Sequence, residues 1–453
     1  VSYHAGLVSA REEKALGVNV NFDPCVDILY NWRNTIVNTR AYGTDAETVI
    51  KYTNAYLDGL TAENGENMED GVIQCIKHFP GDGTEERDQH LVLGVNELSP
   101  EEWRASFGKV YQNHIDRGVE MIMAGHIAVP ALQKELNSAL EDKDIMPATL
   151  AEELIQDALK TELGFNGLVI TDATHMLGMT SAMRREDYVP KSIAAGCDMF
   201  LFFNNIEEDF GFMLKGYQNG VITEERLTDA LRRILGLKAK LHLPEKQANG
   251  TLLRTREDLN VIGCEEHLQW RAEAADKGIS LIKDTQNNLP INPVDHKRIR
   301  LYMLEGEKGG ITDNGSKAQQ LFVDELTKRG YEVTVNERGS RVKGATLKYR
   351  DEVDFALEVA DIAGYGAQNN YRIQWSTAMA NEVPWFVWEV PHAFVSLNFT
   401  THLHDATMVK TFVNAYHNNE ETIKQVIDKL EGKSEFKGGH NDLVWTDKWQ
   451  AKL

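Results

Sequence analysis

Three short stretches of this chain hold side chains of the types and spacing that chemistry needs. In the first, an apolar run, Val72-Ile73-Gln74-Cys75-Ile76, delivers a cation and an imidazole side by side, Lys77 and His78. A Phe-Pro-Gly-Asp-Gly turn follows, then a polar loop ending in Asp88-Gln89-His90. A carboxylate two residues before a histidine can orient the ring and raise its pKa, giving a proton donor near neutral pH. In the second, the run Leu168-Val169-Ile170-Thr171 ends in Asp172. A carboxylate at a strand end can attack an electrophilic carbon or stabilise a cation, although an aspartate there also commonly caps the following helix. In the third, Arg40 lies in a loop before a helix capped by Thr44 or Asp45. Its fork of donors can hold several hydroxyls or a carboxylate, against the plain alternative of a surface ion pair. A lone Asp-x-His is usually a solvated loop; the coincidence of three such stretches favours a site.

The elements that must position these residues alternate. Apolar runs at 18–22, 72–79, 119–123, 168–171 and 197–203 read as strands, with amphipathic helices between them, the first over 5–16. Ser99-Pro100-Glu101-Glu102 and Thr149-Leu150-Ala151-Glu152 read as capping boxes, and Leu150, Leu154, Ile155, Ala158 and Leu159 share one helical face. Nearly all-apolar strands alternating with helices imply a parallel α/β sheet covered on both sides. Polar residues follow several strands: Asp27, Lys77-His78, His126, Asp172 and Asn204-Asn205. Contributions from many strand ends converge at the mouth of a closed (β/α)8 TIM-type barrel, whereas an open sheet gathers ligands at one switch point. The barrel is therefore expected over 1–242. Five strands do not complete it, so about three are expected upstream, and the chain expressed alone is expected to aggregate or lack activity unless they are supplied.

Residues 243–278 read as a linker and connecting helix, and 279–453 as a smaller α/β sandwich domain. Its strands are expected at 279–282, 299–304, 331–335, 361–363, 385–390 and 394–397, with a helix over 316–329. Gly306-Glu307-Lys308-Gly309-Gly310 is a glycine-rich turn rather than a phosphate loop, and Trp375, Trp385 and Trp388 read as packing residues.

Composition narrows the function classes. The formal charge of −21 opposes nucleic-acid or anionic-membrane partners, and no apolar run is long enough to span a bilayer. Cys25, Cys75, Cys197 and Cys264 are far apart, three of them in apolar runs, which reads as buried thiols in a reducing, cytoplasmic setting. No metal ligand set with zinc spacing and no cofactor motif is expected.

Together, Lys-His-Phe-Pro-Gly-Asp-Gly (77–83), Asp88-x-His90, Gly-Phe-x-Gly-x-Val-Ile-Thr-Asp (164–172), Arg-Ala-Tyr-Gly (40–43) and Asn21-Phe22-Asp23-Pro24-Cys25-Val26-Asp27 resemble glycoside hydrolase family 3. The resemblance covers residues 5–240 and extends more loosely through Leu281–Asp284 and Leu289–Ile291. It implies an exo-acting, retaining enzyme whose partner is a small carbohydrate, with Asp172 as nucleophile and Arg40, Lys77 and His78 gripping sugar hydroxyls. The Asp-x-His loop resembles the β-N-acetylglucosaminidase branch, in which the histidine is acid/base; His90 and Asp88 fall on it. Asp82 departs from that branch, where many members carry a second histidine, and the family's upstream sugar-binding aspartate has no counterpart here. A neutral imidazole does not repel an anionic nucleophile as a carboxylate does, so phosphate could replace water as acceptor. The residues also leave open a β-glucosidase-like hydrolase and a non-catalytic sugar-binding protein.

Overall fold

The computed structural model describes residues 1–453 apart from 66, 67, 69, 70, 307–316, 343 and 364–370. The chain divides into two compact units, Val1–His267 and Leu268–Leu453.

In the first unit, β1 (Val20–Asn21), β2 (Ile73–Phe79), β3 (Met121–Ala124) and β4 (Leu168–Thr171) form a four-stranded sheet in chain order, every pair parallel. Most positions of these strands are apolar because both faces are covered, most of the polar ones gathering toward the C-terminal ends. Ile73, Cys75, Met121, Met123, Leu168 and Ile170 pack together on one side, while Ile76, Phe79, Ile122 and Val169 join a larger core with Trp103, Phe107, Tyr111, Leu154 and Ile155. Each Ile, Leu, Val, Phe or Met among them contributes ~1.5–3 kcal/mol when fully buried. The fifth apolar run lies beside β4 as a bridge, Ile170 with Met199, rather than as a strand. Asp198 and Thr171 still make ladder bonds there (Asp198 N–H to Val169 O, 2.7 Å; Thr171 N–H to Met199 O, 3.1 Å). The pairing then ends because Leu201 N–H turns to the Thr171 hydroxyl and Phe202 adopts φ 62°. Among the described residues the sheet has two edges and forms no closed ring.

The first expected helix runs over Ser2–Leu16. The Ser99 capping box forms as expected, with both reciprocal bonds to Glu102. The Thr149 box does not: its hydroxyl bonds His126 Nδ1 at 3.0 Å, and the helix Glu153–Glu162 starts without a side-chain cap. Leu150, Leu154, Ile155, Ala158 and Leu159 are nevertheless all buried. The segment after residue 242 carries helices Leu243–Asn249 and Glu265–Gly278.

The second unit is a six-stranded sheet. Its strands are β5 (Ser280–Asp284), β6 (Arg298–Glu305), β7 (Glu332–Val335), β8 (Phe355–Asp361), β9 (His392–Ser396) and β10 (Thr411–Asn414), in the order β5-β10-β9-β8-β6-β7. All pairs are parallel except β5–β10. Two sequence expectations fail here. The strand placed at 361–363 lies at Phe355–Asp361, where Glu358 interrupts the apolar run on paper but is buried in the fold. Residues 385–390 are a turn bracketed by Pro384 and Pro391, with Glu389 N–H and Val390 N–H both returning to Phe386 O. The helix expected over 316–329 spans Ala318–Lys328. The glycine-rich turn at 306–310 falls mostly outside the described residues. Trp375 and Trp385 pack into the core as expected, but Trp388 is 73% exposed under Lys410. All four cysteines are free thiols, with Cys25, Cys75 and Cys197 buried. No helix among the described residues is long and apolar enough to cross a membrane.

Candidate active site

The C-terminal ends of β2, β3 and β4 bring most of the sequence-identified residues together. Behind β2, Phe79 packs edge-on against Tyr111 (5.1 Å) and Trp103 (6.2 Å), and Trp103 Nε1–H donates to Pro80 O at 2.9 Å. The turn that follows requires its glycines: Gly81 has φ 122° and Gly83 φ 110°, and a Cβ on Gly83 would sit 2.1 Å from Ile28 O.

Asp27, fully buried, is the hub below the site. It accepts from His78 Nδ1 (2.7 Å), from the His78 N–H (3.3 Å), from the Asp82 N–H (2.7 Å) and from the Cys25 thiol (3.1 Å). Burial works against its charge, but His78 and these donors hold its pKa below the usual value. The ligand atoms of Cys25, Asp27 and His78 lie within 4.8 Å of one another, close enough to suggest a metal. Their chemistry argues otherwise. Burial, with Asp27 adding, pushes the Cys25 thiol far up, so it stays a protonated donor, and the carboxylate is already committed to His78.

With Nδ1 tied to Asp27, the His78 ring turns Nε2 toward Asp172, 4.0 Å from Oδ2. Asp172 does not cap a helix; the next one, Leu177–Thr180, begins after Met176. Its N–H donates to Ala124 O (2.8 Å), and Oδ1 accepts from Ala173 N–H (2.7 Å). Burial would raise its pKa, yet His78, His126, the Ala173 amide and His90 together hold it below the usual carboxylate value. Burial also drives His126 down, which makes it the weaker imidazolium partner. Its ring instead fixes the backbone after β4, with Nε2 bonded to Ala173 O at 2.9 Å.

On the loop, Asp88 and His90 meet as their spacing suggests: Nδ1 lies 2.7 Å from Asp88 Oδ1, and the His90 N–H reaches the same oxygen at 2.8 Å. This leaves Nε2 as the ring nitrogen not bonded to Asp88. Asp88 is buried and the His90 side chain 38% exposed. Burial lowers the His90 pKa, but the bond to Asp88, its charge and that of Asp172 outweigh it, so the net shift is upward. Arg40 is solvent-accessible by area, though enough protein surrounds it that burial opposes its charge. Asp27, Asp82 and Asp172 reverse that effect, so it too feels the strand-end carboxylates. Its Nε–H donates to Ile36 O at 2.8 Å. Lys77 lies beside Asp23 at 3.8 Å. Asn205 is not part of the cluster; it caps the helix Ile206–Gln218 through Glu208 N–H.

Two participants carried no sequence signal. Asn34 Nδ2 donates to Asp82 Oδ1 (2.9 Å), and Gln89, between the two members of the Asp-x-His pair, reaches Asp82 Oδ2 (3.3 Å). Burial, with Asp27 beside it, pushes Asp82 up to about 6.

The model of the glycosyl hydrolase family 3 N-terminal domain matches residues 1–237. A β-N-acetylglucosaminidase/β-glucosidase of Cellulomonas fimi is 40% identical over 454 residues, covering 99% of this chain and 78% of that protein. β-Hexosaminidase A of Pseudoalteromonas piscicida is 28% identical over 60% of this chain, which spans 45% of its length. Among solved structures, β-glucoside phosphorylase BglX superposes with a TM-score of 0.92 at 38% identity, over all of this chain and 79% of its own. A family 3 β-N-acetylglucosaminidase from Paenibacillus sp. FPU-7 has a TM-score of 0.75 at 22% identity, a likeness of fold. With a family model over half its length and relatives along nearly all of it, this chain belongs to glycosyl hydrolase family 3 and is an enzyme of that family, a glycoside hydrolase.

Proposed function

We propose that this enzyme removes a terminal β-linked sugar, N-acetylglucosamine foremost, with retention, through a covalent glycosyl ester on Asp172 and with His90 as acid/base. One observation carries the reading: the Asp172 carboxylate ends β4 facing His78 Nε2 at 4.0 Å, and the His90 ring, held by Asp88 at 2.7 Å, lies close enough that the charges of Asp172 and His90 favour each other, lowering the one pKa and raising the other. An ionised carboxylate is ready to attack while an imidazolium is ready to give a proton. In the first step the bond from C1 to the leaving oxygen breaks, that oxygen takes the Nε2 proton of His90, and an Asp172 oxygen bonds C1. In the second, water attacks C1, His90 takes its proton, and the ester bond breaks. Asp88 orients the imidazole and stabilises its charged form. Arg40, Lys77 and His78 hold sugar hydroxyls, His78 with its ring fixed by Asp27. Preference for N-acetylglucosamine or glucose follows the names of the relatives, one of which carries both activities.

The test is trapping. A fluorinated glycosyl fluoride forms the glycosyl-enzyme faster than it loses it, so peptide mass mapping should find the sugar on Asp172. Turnover with no adduct, or an adduct elsewhere, removes the assignment.

A second reading concerns the acceptor. The proton carrier is an imidazole, neutral after the first step, and Arg40 feels the same strand-end carboxylates, so an anion meets less repulsion than at a carboxylate pair. The likeness to a β-glucoside phosphorylase over the whole chain favours it too. Saturating phosphate should then yield sugar 1-phosphate; hydrolysis alone under those conditions excludes it.

The same proposal extends to the fold. Parallel strands in chain order suit the wall of a (β/α)8 barrel. The helix Ile206–Gln218 exposes Ile206, Phe210, Leu214 and Tyr217 on one face beside exposed Phe202 and Phe203, a stripe that further βα units of the ring would cover.

A further inference from the structure

The loop carrying Asp88 and His90 is tied to the rest of the site at its far end, where Gly94–Val95 pairs with Ile127–Ala128 and the Gly94 N–H donates to His126 O (3.0 Å), and at its centre through the residue between the pair. Gln89 is buried, and its carboxamide is sorted by polarity. Nε2 donates to Asp82 Oδ2 (3.3 Å), while Oε1 accepts from the His126 N–H (2.8 Å). Turned over, the amide would face a donor with its nitrogen and a carboxylate with its oxygen, so one orientation satisfies both ends. Its backbone joins a third strand end, for Gln89 O accepts from Gly178 N–H (3.1 Å) and His90 O from Leu177 N–H (3.0 Å), in the segment after β4. Asp82 is itself fixed from the other side. Asn34 Nδ2 and the Gly83 N–H (2.6 Å) hold Oδ1, and the Asp82 N–H holds Asp27, the residue that orients His78.

We propose that Gln89 and Asp82 are positioning residues for the reaction: the Asp82–Gln89–His126 chain holds the Asp88–His90 pair in register with the Asp172 strand end. The proposal rests on the reading of His90 as acid/base. Neither residue touches the sugar in this mechanism. Asp82, which stands within the Lys-His-Phe-Pro-Gly-Asp-Gly motif where many members of the β-N-acetylglucosaminidase branch carry a second histidine, is the anchor of a strut that ends at the proposed proton donor.

The chain can be broken and remade by exchanging its polarity. In Asp82→Asn the new amide confronts Gln89 Nε2, donor against donor. In Gln89→Glu two carboxylates confront each other. In the double variant Asp82→Asn/Gln89→Glu, the asparagine amide donates to the glutamate, the glutamate still accepts from His126 N–H, and the net charge equals that of the parent. The quantity to measure is the ratio of kcat/KM on an alkyl glycoside, which needs protonation, to that on a dinitrophenyl glycoside, which does not. That ratio is independent of how much of the sample is folded.

Each single variant should lower the ratio by roughly 10²-fold, the scale of a ~1 Å misplacement of a reacting group, and the double variant should recover most of it. Single variants with the parent's ratio overturn the proposal, as does a double variant no better than the worse single one, which would mean that the Asp82 carboxylate acts in its own right. Should the charged exchanges prevent folding, Gln89→Met keeps the shape and removes both bonds; it must lower the ratio as well. His90→Ala separates the two ideas. If it leaves the ratio unchanged, the acid/base reading falls; if it lowers the ratio while Gln89→Met does not, the strut alone falls.

Discussion

The floor of the site and the loop above it are built in opposite ways. On the floor, Asp27, His78 and Asp172 sit at the ends of paired strands, and their side chains are oriented by buried bonds to backbone amides and to one another. On the loop, His90 keeps 38% of its side chain exposed and depends on one carboxylate two residues away. The proposed nucleophile is thus set by the sheet, whereas the ring of the proposed acid/base is oriented by one side-chain bond, on a loop whose backbone is tied to Leu177 and Gly178. The proposed mechanism asks for this asymmetry, since C1 must meet Asp172 at one fixed point while leaving groups of many shapes must pass the proton donor.

If the floor supplies the covalent step, Asp172→Ala should abolish turnover with every leaving group. Loss of a covalent nucleophile in enzymes is on the order of 10⁶-fold, and steady-state rates on a dinitrophenyl glycoside would reveal it. Residual activity that depends on the leaving group would show that the floor does less than claimed.

The loop should respond more weakly and in another variable. As an acid, His90 must be protonated, so kcat/KM should fall as pH rises through its pKa, which lies above the ordinary histidine value because of Asp88. Asp88→Ala removes the main raising partner, so the basic limb should move to lower pH. An unmoved basic limb would detach Asp88 from the proton donor. The same shift enters stability. A raised His90 stabilises the fold fully below its unfolded pKa and loses that contribution as pH rises through the folded one. Asp172, lowered, acts above its unfolded pKa and loses its contribution as pH falls. The two contributions coincide between those limits.

A structural change behind the floor should be the smallest in catalysis and visible in stability. Trp103 is fully buried, with Phe79 on its face and Pro80 O on its indole N–H. Trp103→Ala should cost about 3–5 kcal/mol in denaturant unfolding, with the leaving-group ratio of the surviving native enzyme unchanged. A changed ratio would mean that the turn before the loop, not the Asp82–Gln89 strut, sets the dyad.

The contrast also explains what could be read from residues alone. Asp172, His78 and Lys77 were legible because an apolar run that ends in a polar residue names its own strand end, and Asp88 with His90 because two residues of loop suffice to bring them together. Gln89 was not legible: its partners lie 7 and 37 residues away, and nothing in a glutamine's neighbours announces a strut. Thr149 showed a capping-box pattern, but His126 took its hydroxyl, a tertiary contact overriding a local one. In the second unit, Trp385–Val390 had a strand's composition without its geometry, because prolines bracket it. Glu358 hid a real strand, its carboxyl pushed well above the ordinary value by burial and by Glu382. Thr411–Asn414, missed altogether, is a short, fully buried strand with one apolar pair between two polar residues.

The central claim is that the loop donates a proton to a group expelled by the floor. His90→Ala, assayed across glycosides of graded leaving-group acidity, tests it directly. The loss should be ~10²–10⁴-fold on unactivated alkyl or sugar leaving groups and small on dinitrophenol, giving a steep dependence where the parent's is shallow. Equal losses along the series would contradict the claim, leaving His90 a binding residue and the proton donor elsewhere in the chain.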